Sequence, residues 1–498
     1  MRSWVNCVQT MLGLFATIAF KSGQTIWQAV IGDRRAPGHG FTGLRSCSSL
    51  AQISIGSSQI NANAMARLVL FAAPVCVPGL LGASPAWADP TLTTLIQFNG
   101  TDGAYPVASL ISDGAGNLYG TTAAGGPDYV NLNQIGNGTV FKYNIPSQTL
   151  TTLASFSDSN GAGVRGGVLL DQAGDLFGAT SNNTPGEYGT IFEIPAGGGI
   201  NTLVSFNGSN GAFPVGGLAT DAAGNLYGTT AGGGATWVDS NNTGEGTIFQ
   251  IAAGSHAFST VFSFSGTNGS EPFATLIPDS AGNFYGTTYF GGPAFTGDPH
   301  SGNGTVLKFN PVSNQVTSVA SFNGSNGEEI GGLVADRAGN LYGTSEGGGT
   351  DGDGSIFEIP AGTNNIVTLV NFNGPDGVSP EENLIIDAAG NLYGVTSNGG
   401  SSYENTNLPG YGSVFKIDAI THNVTTLASF TGPNGQYPFG GLITDAQGNL
   451  YGTTEEDSVT GLGTLYEITD SGFVVPEPSV FALSILTGAA FMRRIRTR

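Results

Sequence analysis

The sequence predicts an all-β fold, a seven-bladed β-propeller of four-stranded blades, with the ring closed by an N-terminal strand that joins the last blade. Three observations predict it. A phrase first met as Gly116-Asn117-Leu118-Tyr119-Gly120-Thr121-Thr122 returns six more times, from Gly174, Gly224, Gly282, Gly339, Gly390 and Gly448. The steps between copies run from 50 to 58 residues, the signature of stacked supersecondary units. The ends of the array are complementary: a lone strand-forming segment at 92–98 precedes the first unit, and the last unit lacks its fourth strand. A ring completes its last blade with that first strand, whereas an open β-solenoid leaves two bare edges.

Each repeat reads as strands a, b, c and d. An apolar, Gly-rich run such as Gly216-Gly217-Leu218-Ala219-Thr220 is strand a. The Asp-x-x-Gly-Asn stretch that follows is turn chemistry, since Asp bonds nearby amides and Gly or Asn tolerates positive φ. Its seven Asp residues, Asp113, Asp171, Asp221, Asp279, Asp336, Asp387 and Asp445, read as turn caps rather than calcium ligands. Leu-Tyr-Gly-Thr-Thr is strand b, able to pack on both faces. Strand c follows as in 139–143, and strand d as in 151–156, closed by an Asn-Gly or Asp-Gly turn.

Composition narrows the function. The chain carries a net charge of −21, and the body at 89–472 holds five basic against 34 acidic residues. Such a surface repels phosphate backbones, which excludes nucleic acid as a partner. Cys7, Cys47 and Cys76 all precede the body, so no disulfide or Cys-based metal site is expected there, and no cofactor is implied. The three body histidines, His256, His300 and His422, stand at different repeat positions and read as surface residues. No nucleophile-elbow, zinc-protease or Walker pattern is present, so no catalytic residue is assigned.

The ends are of a different character. Residues 65–88 read as a secretory signal: Arg67, an apolar run, then Ala86-Trp87-Ala88. Residues 1–88 are therefore a leader, with Met65 the expected start. The tail at 473–498 holds Pro476-Glu477-Pro478, an apolar segment at 480–492, and Arg493, Arg494, Arg496 and Arg498. Thirteen residues at about 1.5 Å each give roughly 20 Å of helix, short of a hydrocarbon core of about 30 Å. This is expected to be a short transmembrane anchor, held on its cytoplasmic side by the arginines.

These motifs carry two resemblances. The tail resembles a PEP-CTERM sorting signal. That implies export, transient retention in the inner membrane, and processing by an exosortase-type sorting peptidase. The repeats, through Gly-Asn-Leu-Tyr-Gly-Thr-Thr and Gly-Thr-Val-Phe, resemble the GloVer-type tandem repeats of bacterial surface proteins over residues 91–470. That family implies no catalytic residues.

Candidate binding residues come from where the repeats differ. From the last Gly of the repeat phrase to the Gly opening strand c, the step is 18 residues in repeats 1, 3, 4 and 6 and 11 in the others. Insertions on one face mark a binding face. Each long b–c loop carries an aromatic at one offset: Tyr129, Trp237, Phe295 and Tyr403. They read either as a stacking platform or as anchors of their own loops. Two residues past the d–a turn Gly lie Tyr105, Gly163, Phe213, Glu271, Glu329, Ser379 and Tyr437. These predict a channel mouth with an aromatic side and an acidic side, joined by Glu328, Glu381 and Glu382. The expected function is a surface or matrix scaffold that binds polysaccharide or protein. The alternative is a carbohydrate-active enzyme, hydrolase or lyase, using carboxylates such as Glu271 and Glu329.

Overall fold

The computed structural model describes residues 17–21, 24–28 and 89–476, apart from 132–135, 158, 183–187, 239–243 and 405–408. Thr17–Lys21 and Gln24–Gln28 pair as an antiparallel hairpin in a unit of their own. The expected secretory signal at 65–88 and the tail from Glu477 onward lie outside the described residues. Among the described residues no helix is long and apolar enough to cross a membrane.

Seven four-stranded antiparallel sheets make a seven-bladed β-propeller. Blade 1 runs Ile111–Ser112, Asn117–Thr122, Thr139–Asn144 and Thr149–Ser155, and the next five blades repeat it in order. Blade 7 takes Ile443–Thr444, Leu450–Thr454 and Thr464–Thr469 from the last repeat, and its outer strand is Thr91–Gln97. The predicted closure is thus the observed one. The seam is packed like any other blade interface: Tyr451, Leu462 and Leu465 of blade 7 join Leu110, Leu118 and Phe141 of blade 1 in one buried cluster. Between blades 4 and 5, Val306 and Phe322 meet Leu333 and Phe357 in the same way.

The repeat phrase works between blades as well as within them. Strand b is buried on both faces. Its Gly makes room for the Phe of strand c; a β-carbon on Gly228 would come within 2.5 Å of the Phe249 ring. The first Thr of the pair reaches the next blade. Thr121 donates to the Gly166 carbonyl at 3.1 Å, Thr287 to Gly331 at 2.7 Å, and Thr453 to Ala108 across the seam at 3.4 Å. The second Thr bonds the Thr that opens strand c, as in Thr230 and Thr247 at 2.8 Å. Seven register shifts in the c–d pairs put a bulge in every blade and add to its twist.

Two details differ from expectation. In every blade but the fifth, which keeps Glu328–Ala335, strand a is shorter than its apolar run suggests, Ala219–Thr220 in blade 3 for instance. Its Gly-Gly half leaves its own sheet and lies against the neighbouring blade; a β-carbon on Gly216 would come within 2.7 Å of the Phe273 carbonyl. The body also extends past the expected boundary at 472. Phe473 is buried and packs with Tyr393 and Tyr466. The Asp turns are caps, as predicted: Asp387 accepts from the amides of Ala389 and Asn391 at 2.8 and 2.9 Å and from the Asn391 side chain at 2.8 Å.

Candidate functional site

The b–c and d–a connections share one face of the disc, and one backbone device builds its centre. Tyr105, Gly163, Phe213, Glu271, Glu329, Ser379 and Tyr437 all have φ between 54° and 68°, in the left-handed region. Outside Gly this conformation is costly, and it persists where surroundings over-determine it. Here two hydrogen bonds do so. Phe213 N–H donates to the Tyr188 carbonyl of the preceding blade at 2.8 Å, and Ala231 N–H of its own blade donates to Phe213 at 3.0 Å. Tyr105 repeats the pattern across the seam with Leu462 and Ala123, both at 2.9 Å. Gly163, Glu271, Ser379 and Tyr437 bond the preceding blade in the same way, through the carbonyls of Asn137, Glu245, Asp353 and Tyr411, so six of the seven predicted mouth positions are staples between neighbouring blades.

The four loop aromatics occupy one setting. Tyr129, Trp237, Phe295 and Tyr403 lie flat over Gly100, Gly208, Gly266 and Gly374 of the d–a turn that enters the same blade, leaving no room for a β-carbon. Each ring is half-buried. Trp237 also meets Tyr188 edge-on at 4.8 Å. This packing is that of the loop anchor.

The acidic side is larger than the sequence suggested. Tyr289, Ser397 and Glu455 stand directly after strand b, Glu346 holds the same repeat position within the longer strand b of blade 5 (Leu341–Gly347), and Arg165, Phe273 and Glu381 stand two residues past the left-handed position. The Tyr289 hydroxyl donates to Glu346 Oε2, and Ser397 Oγ donates to Glu381 Oε1 at 2.9 Å. Burial, then the Glu346 charge, pushes the Glu381 carboxyl up to about 9. Burial pushes Glu382 up to about 7 against the Asn383 amide and the Ser109 hydroxyl. Burial also raises Glu329, Glu346 and Glu455, with Glu346 adding to Glu329 and Glu456 adding to Glu455. Arg165 pulls Glu455 the other way.

Glu271 makes a separate contact. Its Oε1 lies 3.0 Å from His300 Nε2 on the long loop of blade 4, and His300 Nδ1 lies 3.5 Å from Asp298. The aromatic side is less distinct than predicted, because Tyr105 and Tyr437 both border Glu455 and Glu456. Phe273, 39% exposed, brings an aromatic ring to the acidic side and meets Tyr289 edge-on at 5.4 Å. Sequence reasoning missed Tyr289, Glu346, Glu455, Arg165 and Phe273. Their signal was the constant offset from the repeat phrase, which aligns them on one circle.

A cavity of about 1280 Å³ runs down the axis, lined among others by Ser109, Arg165, Phe273, Glu381 and Glu382. Of the predicted sorting residues only Pro476 is described, and it is exposed.

Fold and mouth together define a seven-bladed repeat propeller with an acidic axial opening. The Gloeobacter/Verrucomicrobia repeat model matches residues 85–238, 136–327 and 295–482. The chain belongs to the Gloeobacter/Verrucomicrobia repeat family. No curated protein matches it. Among solved structures, the extracellular domain of a hybrid two-component system from B. thetaiotaomicron is 14% identical, over 73% of this chain and 38% of that one, with a TM-score of 0.44. This chain thus spans well under half the length of that domain. An oligogalacturonate lyase from Vibrio parahaemolyticus is 11% identical over 76% and 93%, with a TM-score of 0.49. A gluconolactonase from Xanthomonas campestris is 16% identical over 59% and 82%, with a TM-score of 0.36.

Proposed function

We propose that the protein is an exported binding propeller whose channel mouth takes a hydroxyl-rich, uncharged or cationic ligand, foremost a polysaccharide. The observation that carries the reading is the group formed by Tyr289, Glu329, Glu346, Glu381 and Glu455 beside the exposed Phe273 ring. A carboxyl kept protonated at neutral pH both donates and accepts, as a sugar hydroxyl requires of its partner. An exposed ring at its side offers a face for a pyranose. The negative surface of the body excludes polyanions. The signal at 65–88 and the Pro476-Glu477-Pro478 tail support export, passage through the inner membrane, and processing by an exosortase-type peptidase at the cell surface.

The test is a glycan array probed with the full chain, repeated with Phe273→Ala and Glu381→Ala. Binding to a neutral or amino-bearing glycan that both substitutions weaken supports the reading. Binding that neither changes overturns it. A second reading, cleavage of the same glycan, is favoured by Glu382, whose pKa of about 7 suits general acid–base work at neutral pH. New reducing or unsaturated ends after incubation, lost in Glu382→Gln, distinguish it from binding alone.

A further inference from the structure

On the face opposite the mouth, the chain fills one of its own grooves. After strand c of blade 7, residues 471–475 cross between blades 6 and 7. Ala388 N–H donates to the Val474 carbonyl at 2.8 Å, and Val474 N–H lies 3.5 Å from Asp387 Oδ2. The Tyr393 hydroxyl donates to the Gly472 carbonyl at 3.0 Å, and the Phe473 ring packs on Tyr393 at 5.0 Å. A β-carbon on Gly472 would lie 3.8 Å from Lys416 Nζ, and one on Gly448 would strike the Phe473 carbonyl. The cradle is thus Asp387, Ala388, Tyr393 and Lys416 of blade 6 with Gly448 of blade 7.

Repeat register places Asp171, Gln172, Phe177, Glu193 and Gly224 at the same five positions between blades 2 and 3. All five line the large cavity, which opens from the axis into this groove. Here the chain leaves strand c of blade 3 (Thr247–Ile251) and turns outward into its own strand d (Phe258–Ser263). Phe177 keeps 7% exposure, against 0% for Tyr393 beneath its covering segment.

We propose that the groove between blades 2 and 3 is a docking site for an extended peptide of a partner protein, with an aromatic residue preceded by a cationic one. The segment 471–475 is the template for its path. A peptide carbonyl meets the Gln172 amide as Val474 meets Ala388, and the aromatic ring lies on Phe177 as Phe473 lies on Tyr393. Main-chain bonds hold such a strand and side-chain positions select it. The selection differs at one point. Gly472 faces Lys416, but the equivalent residue is Glu193, with Asp171, Asp175 and Asp221 lining the same groove. A cation before the aromatic is matched there, and an anion is repelled. The site lies on the other face from the mouth and does not depend on the glycan reading.

The experiment titrates the full chain into the fluorescein-labelled peptide Ser-Lys-Phe-Val-Val and follows anisotropy. Saturable binding is expected. It should weaken about tenfold or more when the peptide Phe becomes Ser, or when the protein carries Glu193→Lys. The peptide Ser-Glu-Phe-Val-Val should show the opposite preference, binding the Glu193→Lys protein better than the unaltered one. Glu193→Gln, the residue type that blade 3 carries as Gln250, serves if the reversal does not fold, and should also weaken the Lys peptide. Absence of saturable binding to the unaltered protein, or equal binding by the Glu193 variants, overturns the proposal.

Discussion

Leu92 lies opposite Ile468 in antiparallel register, which makes the first strand of the body the outermost strand of the last blade. The two ends of the array hold each other, and the seam cluster includes Phe98, fully buried. Deleting residues 89–98 should cost at least the about 3–5 kcal/mol expected for losing one buried Phe. Urea denaturation of the shortened chain measures it. An unchanged midpoint would contradict the closure.

Trp237 covers Gly208 and touches Tyr188 of the preceding blade. Trp237→Ala should free the long loop of blade 3, lowering stability by about 1–3 kcal/mol and exposing the loop to protease. Gly208→Ala should do the same, because a β-carbon there strikes the indole and Gly208 has a φ of 82°. Limited proteolysis with mass mapping locates the cut. Cleavage elsewhere with the loop intact would return the ring to the role of a free platform.

Glu381 and Glu382 give stability a pH dependence of definite sign. Both are held above the ordinary value of 4.5, Glu381 at about 9 and Glu382 at about 7. The folded state therefore binds more protons than the unfolded one between these values. Their contribution is complete below about pH 4.5 and is lost as pH rises through about 7 and then about 9. The melting temperature should fall from pH 5 to pH 9, and Glu381→Gln should flatten the upper part of that fall. Melting curves across this range, with and without the substitution, decide it; a variant with the same slope would contradict the assignment.

Phe473 is buried although it follows the last strand of the propeller. Phe473→Ala should destabilise the body by about 3 kcal/mol, as other large-to-small core changes do. Ending the chain after residue 470 should do at least as much. Thermal melts of both variants beside the parent check this, and parity with the parent would show the segment to be a passive linker.

What the sequence determined was the periodic part. Strand b, the Asp turns and the complementary ends depend on residues that are neighbours in the chain or recur at a fixed step, so Asp387 could be read as a cap and the segment at 92–98 as a closing strand. The same pattern placed Tyr105, Phe213, Glu271, Glu329 and Tyr437 at one repeat position. Only the tertiary structure decided what surrounds them. The left-handed turns at Tyr105, Phe213, Glu271 and Tyr437 are each held by a hydrogen bond to the preceding blade, and no local pattern encodes a bond to the Tyr188 carbonyl. The clustering of Glu346, Glu381 and Glu455 follows from the closure of seven sheets around one axis, which brings together residues from blades 5, 6 and 7. The aromatic loops became anchors because a glycine in the preceding turn leaves a ring-sized space. The path of residues 471–475 was decided by a groove that exists only between two assembled blades.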